Sequence, residues 1–433
     1  MTPHDGNGAE ARAGRAPVAT GDQAGALEGV RVLDLAGPTG VYCGRLLAGL
    51  GAEVIRIEPP AGDESRRVAP FFSFPPRPVG EGRGEVSLFD WHFNAGKLGV
   101  TLDLERTGGQ SLFRRLAGAA DVVIETFRPG YLEDRGLGYE QLKTANAALI
   151  LVSITPFGQS GPFSQFEGGE LIAQAAGGLL WMCGWPDRPP VMMGGWPAMH
   201  QASAEGAAAA LMALYAAEES GEGQHIDVSA QACVPMTLMT SMFDFYITKA
   251  RRHPRIGNQQ ARPLNGMYKC RDGYVDFRFR GRPGQWERLV SWLDSAGMAE
   301  DLGEERWRDR SYRDEPEHTQ HINAVVQRFL NGLTREEAMD RGQRAGYEVG
   351  AVYTAEDLLR DPQLEARRFW VDLDNDELGR SFRYPGGPYV LSETPWRLDR
   401  RAPLLGEHNA SVYGGLLGLS AADLESLRGS GVT

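Results

Sequence analysis

Cysteine is scarce in this chain of 433 residues, which has only Cys43, Cys183, Cys233 and Cys270. The four lie far apart in the sequence and form no CxxC pair. Zinc and iron–sulfur sites use closely spaced cysteines, so neither kind of site is indicated. We expect four buried thiols and no metal or redox cofactor.

Long apolar runs are missing as well. No stretch approaches the roughly 20 uninterrupted apolar residues that span a bilayer. Residues 1–26 are rich in Gly, Ala and Pro and contain no apolar core of a secretory signal. We therefore expect a disordered leader over 1–26 and a cytoplasmic protein.

An excess of positive charge is the third absence. The formal net charge is -12, which argues against a general nucleic-acid-binding protein, because phosphate neutralisation needs a basic surface. An anionic ligand would need locally placed Arg or Lys side chains. Hydrophobic residues make up 42% of the chain, enough for sizeable cores, and the length indicates two or more packing units.

Strand-like and helix-like segments alternate over the first third of the ordered chain. VRVLDLA, starting at Val30, is followed by a Gly-Pro-Thr-Gly turn, by VYCGRLLAGLGA and by the strand-like EVIRIEPP. GVTLDL, GGQSLFRRLAGAA and DVVIETF repeat the pattern, and ALILVSITPFG adds a further strand. This alternation predicts an α/β fold with a parallel, helix-flanked sheet of Rossmann type.

The composition changes near residue 250, where KARRHPRIGNQQARPLN is polar and lacks periodicity. Beyond it, MYKCRDGYVDFRF predicts a hairpin that turns at Asp272 and Gly273. We predict a large Rossmann-like domain over 27–250 and a small α+β domain with linkers over 251–350. Residues 351–433 are expected to return to the large domain.

Seven segments stand in an order typical of one enzyme family. They are LEGVRVLDLAGPTGVYCGRLLAGLGAEVIRIEPPAGDESRR, GVTLDL, ADVVIETFRPG, ITPFGQSGPF, SGEGQHIDVSAQ, DLLRDPQLEARRF and APLLGEHN. From about residue 27 onward the chain resembles the family III CoA-transferases, the group of formyl-CoA transferase, carnitine CoA-transferase and α-methylacyl-CoA racemase. The resemblance implies two-domain subunits interlocked in a dimer. It also implies a CoA thioester as substrate and no permanently bound cofactor.

The resemblance implies that seven residues contact CoA. Gly37, Pro38 and Thr39 match the turn beside the pantetheine and thioester, and Leu102 matches an apolar position against the adenine. Thr126 and Phe127 match the pair beside the CoA chain, and Arg135 lies in a loop that faces the nucleotide. From the residues alone, a turn at the carboxyl end of a parallel strand suits ligand binding. A plain strand–helix turn and a solvated loop arginine are the structural alternatives.

Arginines near the nucleotide are a further expectation from the resemblance. By analogy Arg56, Arg66, Arg67 and Arg128 lie on that side of the site. Two positions that are basic in other members are here Pro59 and Glu105, and each change removes a charge-assisted bond to phosphate.

The carboxylate nucleophile of the family is missing. CoA transfer between carboxylic acids needs a carboxylate that attacks the acyl thioester. The segment from Pro189 to Gly206 has no acidic residue before Glu205, and the family's Asp position falls on Met199. The racemase His-Asp dipeptide is replaced by Gly169 and Glu170.

Two side chains remain as candidate catalytic groups. Glu170 occupies the accessory carboxylate position, and His200 follows the lost nucleophile. Each has a structural alternative, since Glu170 is also a typical acid at a helix N-terminus and His200 could be an ordinary loop histidine.

Three functions therefore stay open. In the first, the chain resembles the non-catalytic subunit of the two-subunit succinyl-CoA:benzylsuccinate CoA-transferases of anaerobic aromatic degradation. It would then support a homologous Asp-containing subunit, in a heterodimer or heterotetramer, that moves CoA from succinyl-CoA to a bulky acid such as an aryl-substituted succinate. In the second, a homodimeric acyl-CoA transferase, isomerase or lyase uses Glu170 or His200. In the third, a non-catalytic CoA-thioester-binding protein has its pocket filled by Met192, Met193, Trp196 and Met199, a cluster that suits an apolar substrate wall equally well.

Overall fold

The structure is a computed structural model that describes residues 24–73, 85–238, 241–249, 263–375 and 378–433. Most of the predicted leader, and the polar segment that follows residue 250, lie outside the described residues. The strands are β1 (Arg31–Asp34), β2 (Glu53–Glu58), β3 (Phe71–Ser73), β4 (Glu85–Ser87), β5 (Leu98–Thr101), β6 (Val122–Glu125), β7 (Ile150–Thr155), β8 (His225–Ser229), β9 (Asn265–Cys270), β10 (Gly273–Arg278), β11 (Glu348–Ala351), β12 (Trp370–Asn375) and β13 (Arg380–Pro385).

Helices connect and cover these strands. They are α1 (Val41–Gly49), α2 (Leu88–Asn94), α3 (Thr107–Ala117), α4 (Tyr139–Leu142), α5 (Glu170–Ala176), α6 (Leu179–Met182), α7 (Pro197–Ser220), α8 (Ala230–Thr237), α9 (Ser241–Thr248), α10 (Gln285–Asp294), α11 (Arg310–Arg313), α12 (Pro316–Leu330), α13 (Arg335–Arg344), α14 (Ala355–Leu358), α15 (Pro362–Ala366), α16 (Asn409–Leu417) and α17 (Ala421–Gly429). Short 3-10 helices occupy Glu64–Arg67, Glu133–Arg135 and Glu305–Arg308. Among the described helices, none combines the length and hydropathy needed to cross a membrane.

Six parallel strands form the main sheet, in the order β5-β2-β1-β6-β7-β8. Successive residues of a strand pack into opposite apolar clusters, as Val32 and Leu33 of β1 do. One cluster joins the sheet to α1, α7 and α8, and the other joins it to α3 and α16. Burial on both faces explains why the strands read as continuous apolar runs. The predicted α/β class and Rossmann-like sheet are confirmed.

The chain divides into two compact units. The described residues of the first fall within 1–182, 191–252 and 366–433, and those of the second within 183–190 and 253–365. The second unit has an antiparallel sheet in the order β11-β10-β9 and its own apolar core, which includes Tyr268, Phe277 and Trp307. The predicted hairpin forms between β9 and β10, but Cys270 pairs with Gly273, so its two-residue loop begins one residue earlier than predicted.

Residues after 399 cover the outer edge of β5 within the first unit. The N–H of Gly99 donates to Nδ1 of His408 at 3.1 Å, and the N–H of Thr101 donates to Oδ1 of Asn409 at 2.9 Å. The hydroxyl of Tyr413 donates to the carbonyl of Thr101 at 2.8 Å. An edge strand that would otherwise expose unpaired backbone groups is thereby blocked.

All four cysteines are free thiols. Cys43, Cys233 and Cys270 are buried, whereas Cys183 is only half-buried. The expectation of four buried thiols is therefore wrong for Cys183.

Candidate active site

A cavity of about 420 Å³ opens at the carboxyl edge of the main sheet. Its apolar wall includes Leu35, Ile57, Leu102 and Phe127, which lie at or just after the ends of the four neighbouring strands β1, β2, β5 and β6. The loops that follow parallel strands meet at one edge, and this edge is where α/β proteins bind their ligands. The cavity is therefore the main candidate for a ligand site within the described residues.

The turn after β1 is fixed to the end of β6. The N–H of Gly37 donates to Oγ1 of Thr126 at 2.9 Å. A Cβ atom on Gly40 would lie 2.4 Å from Cγ2 of Thr126, so no side chain fits there. Both segments line the cavity and hold each other in place.

The structure brings together five of the seven residues expected to contact CoA. Gly37, Pro38, Leu102, Thr126 and Phe127 line this cavity. Thr39 and Arg135 are not among the lining residues. Their roles in CoA binding stay predictions, as do those of the other five.

Arg135 stands behind the cavity wall. Its Nη2 lies 2.7 Å from a carboxylate oxygen of Glu105, and its guanidinium lies 3.6 Å from the ring centroid of Tyr131. Glu105 and Tyr131 both line the cavity. Arg135 therefore holds two wall residues, and its charge is partly neutralised by Glu105.

The four arginines expected near the nucleotide differ in their surroundings. Arg56 is buried and forms ion pairs with Glu58, Asp63 and Asp90, so its charge is already neutralised by carboxylates, two of which line the cavity. Arg66 is paired with Glu58 at 2.6 Å.

The charge of the cavity wall is mainly negative. Arg128 is exposed, 3.7 Å from Asp134, and Arg67 lines the cavity. Arg67 is the one basic side chain among the described lining residues, whose acidic members are Glu58, Asp63, Glu64, Asp103 and Glu105.

Glu170 caps helix α7, whose first turn contains Met199, the predicted position of the family's nucleophile. Its Oε1 accepts the N–H of Ala198 at 3.0 Å, and its Oε2 accepts the N–H of Met199 at 2.9 Å. Gln174 donates to the same Oε1 at 2.6 Å. The residue before α7, Trp196, has a left-handed backbone and provides no cap of its own. Glu170 therefore satisfies the first N–H groups of α7, where a negative charge is stabilised by the helix dipole.

Met199 and His200 lie in different environments. The side chain of Met199 is 1% exposed and packs into the apolar core with Ala202. The ring of His200 is half-buried, and its centroid lies 5.2 Å from those of Tyr42 and Phe93. Burial lowers the pKa of His200, although the Glu170 carboxylate opposes the shift. The imidazole is therefore neutral at neutral pH.

Aromatic side chains surround His200. Phe89 lies 4.6 Å from Phe93 and 5.3 Å from Trp196, measured between ring centroids. Met192 and Met193 are 46% and 45% exposed, so the idea that they fill a pocket is not supported. The aromatic wall comes mainly from the sequence LFDWHFN of α2, which the sequence interpretation missed although its aromatic content was a visible signal.

A buried carboxyl group at the end of β6 was also missed. Glu125 is 4% exposed and accepts the N–H of Phe127 at 2.6 Å, which fixes the turn at the cavity. Burial raises the pKa of Glu125 to about 7, although the Ser153 hydroxyl opposes the shift. Ser153 in turn lies 2.9 Å from Nε2 of His225.

Comparison with known proteins identifies the family. The sequence profile described as CoA-transferase family III matches residues 27–409. The chain is 36% identical over 386 residues to the succinyl-CoA:(R)-benzylsuccinate CoA-transferase subunit BbsE of Thauera aromatica, which covers 88% of this chain and 92% of that protein. It is 33% identical over 406 residues to the succinyl-CoA–D-citramalate CoA-transferase of Chloroflexus aurantiacus, covering 93% and 96%.

A solved structure agrees with the sequence comparison. A CAIB/BAIF family protein from Brucella suis superimposes with a TM-score of 0.81 at 30% identity, covering 91% of this chain and 100% of that one. The chain belongs to CoA-transferase family III. It is a CoA-transferase, and its substrate is a CoA thioester.

Proposed function

We propose that this chain is the non-nucleophilic subunit of a CoA-transferase that moves CoA from succinyl-CoA to a bulky acid such as an aryl-substituted succinate. A homologous sister subunit supplies the nucleophilic Asp. The observation that carries the proposal is the core thioether of Met199 at the expected nucleophile position. The name of the Thauera relative, a benzylsuccinate CoA-transferase subunit, supports the same conclusion.

The chemistry explains why Met199 is decisive. In the transfer, a carboxylate oxygen attacks the acyl carbonyl and expels the CoA thiolate, which leaves a mixed anhydride. The thiolate then attacks the enzyme's carbonyl, releases the first acid and leaves an enzyme-bound CoA thioester. A thioether has no acidic oxygen and cannot enter this sequence. Both oxygens of Glu170 accept hydrogen bonds from the first turn of α7, which keeps that carboxylate in a capping role.

The carboxyl-edge cavity is the proposed CoA site. Its apolar wall suits an adenine ring and a pantetheine chain, and Thr39 and Arg135 remain proposed contacts beside the lining residues. The acidic lining disfavours phosphates, so Arg67 is the proposed phosphate contact in the wall itself.

Exposed apolar side chains support an extensive partner interface. Monomeric soluble proteins rarely expose large apolar areas. The three consecutive helices α7, α8 and α9 expose Met212, Tyr215, Met236, Phe243, Tyr246 and Ile247, each by 67% or more. We propose that they are covered by a sister subunit in an interlocked heterodimer or heterotetramer.

A self-sufficient acyl-CoA enzyme is the second candidate. A specific observation favours it, because His200 is half-buried beside two aromatic rings and its imidazole is neutral. It could act as a base or as a hydrogen-bond donor to substrate. A non-catalytic CoA-thioester-binding protein is the remaining alternative.

Native mass spectrometry of the untagged protein from its source organism tests the proposal. We expect two different chains, the second with an Asp aligned to Met199. A mass of twice 47.3 kDa from one polypeptide would contradict the heteromer and turn attention to His200. A single chain that binds CoA thioesters but turns none over would favour the binding protein.

The Met199→Asp variant tests the assignment of the nucleophile position. We expect it to form a covalent CoA thioester after incubation with succinyl-CoA, detected as a mass increase of the intact chain. Met199→Asn is the matched control, since the Asn side chain is similar to Asp in size and polarity but cannot form the anhydride. Absence of an adduct on a folded Met199→Asp variant would contradict the assignment.

A further inference from the structure

A buried arginine lies next to the aromatic cluster and has no acidic partner. Arg45 of α1 is 3% exposed. Its Nη2 makes one long hydrogen bond, 3.5 Å, to the carbonyl of Pro385, and its Nη1 has no partner among the described residues. The guanidinium lies 5.8 Å from the ring centroid of Trp396, whose Nε1 is also buried without a hydrogen bond.

The groups that interact with Arg45 are two tyrosine hydroxyls, His92 and the buried cation of Lys97, and none of them is a carboxylate. The Tyr42 and Tyr384 hydroxyls raise its pKa, but burial outweighs them and lowers the pKa to about 10. Burial, together with the nearby Arg45 and His200, lowers the pKa of His92 to about 4. Arg45 thus remains charged at neutral pH while the imidazole beside it is neutral.

An unpaired buried cation is costly, and proteins almost always neutralise it. The other buried basic groups of this unit follow that rule, since Arg56 pairs with three carboxylates and Lys97 pairs with Asp34 at 2.6 Å. Arg45 is the exception among the described buried bases of the first unit. Nη1 of Arg45 and Nε1 of Trp396 are two buried donors without partners among the described residues, and each could donate to an oxygen of a carboxylate.

The structure assigns to Arg45 the second carboxylate of a dicarboxylic acyl group or acid. This inference rests on the proposed function and names the residue that selects the substrate class. In this arrangement the acyl group lies against Tyr42 and His200, which are half-buried, and its distal carboxylate pairs with the Arg45 guanidinium.

The aromatic cluster completes the fit to an aryl-substituted dicarboxylic acid. The Tyr42 and Phe93 rings contact His200, and Phe89 links Phe93 to Trp196. A substrate with two carboxylates and an aromatic ring would place one carboxyl at the thioester, one at Arg45 and its ring among these side chains. An aromatic acid with a single carboxyl would leave Arg45 unpaired.

Titration calorimetry of the full chain tests the inference, with succinyl-CoA compared with butyryl-CoA, which lacks the distal carboxylate. We expect the wild type to bind succinyl-CoA at least about tenfold more tightly than butyryl-CoA, because butyryl-CoA cannot form the charged hydrogen bond to Arg45. Arg45→Met should abolish this preference without weakening butyryl-CoA, and Arg45→Lys should retain part of it. An unchanged butyryl-CoA affinity shows that the variant is folded, and Arg45→Gln replaces Arg45→Met if the latter is insoluble.

Free succinate and butyrate separate this inference from the proposed function. Succinate binding that depends on Arg45, without binding of either CoA thioester, would support the carboxylate site and contradict the proposed CoA site. CoA-thioester binding with no preference for succinyl-CoA, or the same preference in Arg45→Met, would overturn the inference and leave the proposed function standing. Binding of none of the four probes would overturn both. A carboxylate of a sister subunit paired with Arg45 in the complex would also overturn it.

Discussion

Single residues at the cavity edge combine structural and electrostatic roles. Glu125 holds the Thr126–Phe127 turn through the N–H of Phe127 and is buried beneath it. Glu133 and Asp227 add negative potential, and both raise its pKa further. The carboxyl group therefore ionises near neutral pH in the folded protein and well below neutral pH in the unfolded chain.

This difference predicts a pH-dependent stability. Below about pH 4.5 the group is protonated in both states, and as the pH rises from there to about 7 only the unfolded chain ionises. The free energy of unfolding should therefore fall by about 3 kcal/mol over this range relative to Glu125→Gln, and the difference should then stay constant. Urea unfolding of both proteins between pH 5 and 8 measures it. If the unfolding free energies of the two proteins change in parallel with pH, the raised pKa of Glu125 is contradicted.

The prediction that the nucleophile is absent rests on a local property of the sequence. A segment without Asp or Glu can be read directly, and Met199 follows from spacing. The unpaired state of Arg45 could not be predicted, because its neighbours come from α1, from α2 and from residues beyond 380. Only the folded chain shows that no acidic side chain reaches this arginine in the described parts of the structure.

At the scale of elements, close packing of α1 against the sheet positions the cavity. A Cβ atom on Gly44 would lie 2.2 Å from Oδ2 of Asp34. Asp34 is held in place by Lys97, which is fully buried and also donates to the carbonyl of Val41 and to Asn94. The N-terminal turn of α1 is thus anchored where the Gly-Pro-Thr-Gly turn meets the cavity.

Gly44→Ala should therefore destabilise the protein. The added methyl group displaces the buried ion pair, at a cost of about 1–3 kcal/mol in the free energy of unfolding. Gly415→Ala in α16 is the matched control, since a Cβ there meets nothing within 4 Å and should stabilise the helix by up to about 1 kcal/mol. Denaturant unfolding followed by circular dichroism compares them. Equal stability of the two variants would show that α1 can move away from Asp34.

Helix α1 was predicted from VYCGRLLAGLGA, and the structure has it over Val41–Gly49. The sequence pattern did not explain why α1 contains glycines. A glycine that permits close packing is recognised only when the residue packed against it is known. Gly49 shows the same limit, since the ring of Trp396 occupies the space of its missing Cβ, and these residues are distant in sequence.

For the whole molecule, the apolar residues on α7, α8 and α9 indicate assembly with another chain. The double variant Phe243→Glu/Ile247→Glu should weaken or abolish it, because each buried carboxylate must be desolvated in the interface. Both side chains are more than two-thirds exposed in the single chain, so its own stability should change little. Sedimentation velocity measures the shift from complex to monomer. Glu425→Lys on α17 is the control and should sediment like the wild type; an unchanged double variant would place the interface elsewhere.

The parallel sheet was predictable from the alternation of strand-like and helix-like segments. The family was predictable from the order of its sequence motifs. Interlocking of two subunits was implied by the resemblance alone, and a single chain does not test it.

The cover of the β5 edge by His408 and Asn409 has a consequence for biosynthesis. The strands β1, β2 and β5 to β8 leave the ribosome early, whereas the segment that blocks β5 is translated only after the whole of the second unit. During that interval the nascent sheet keeps an open edge beside its future ligand cavity, a state prone to wrong pairing. The second unit, with most of its residues in one continuous stretch, can fold before the first is finished. Chaperone protection of the nascent chain should therefore matter most between synthesis of β8 and emergence of α16.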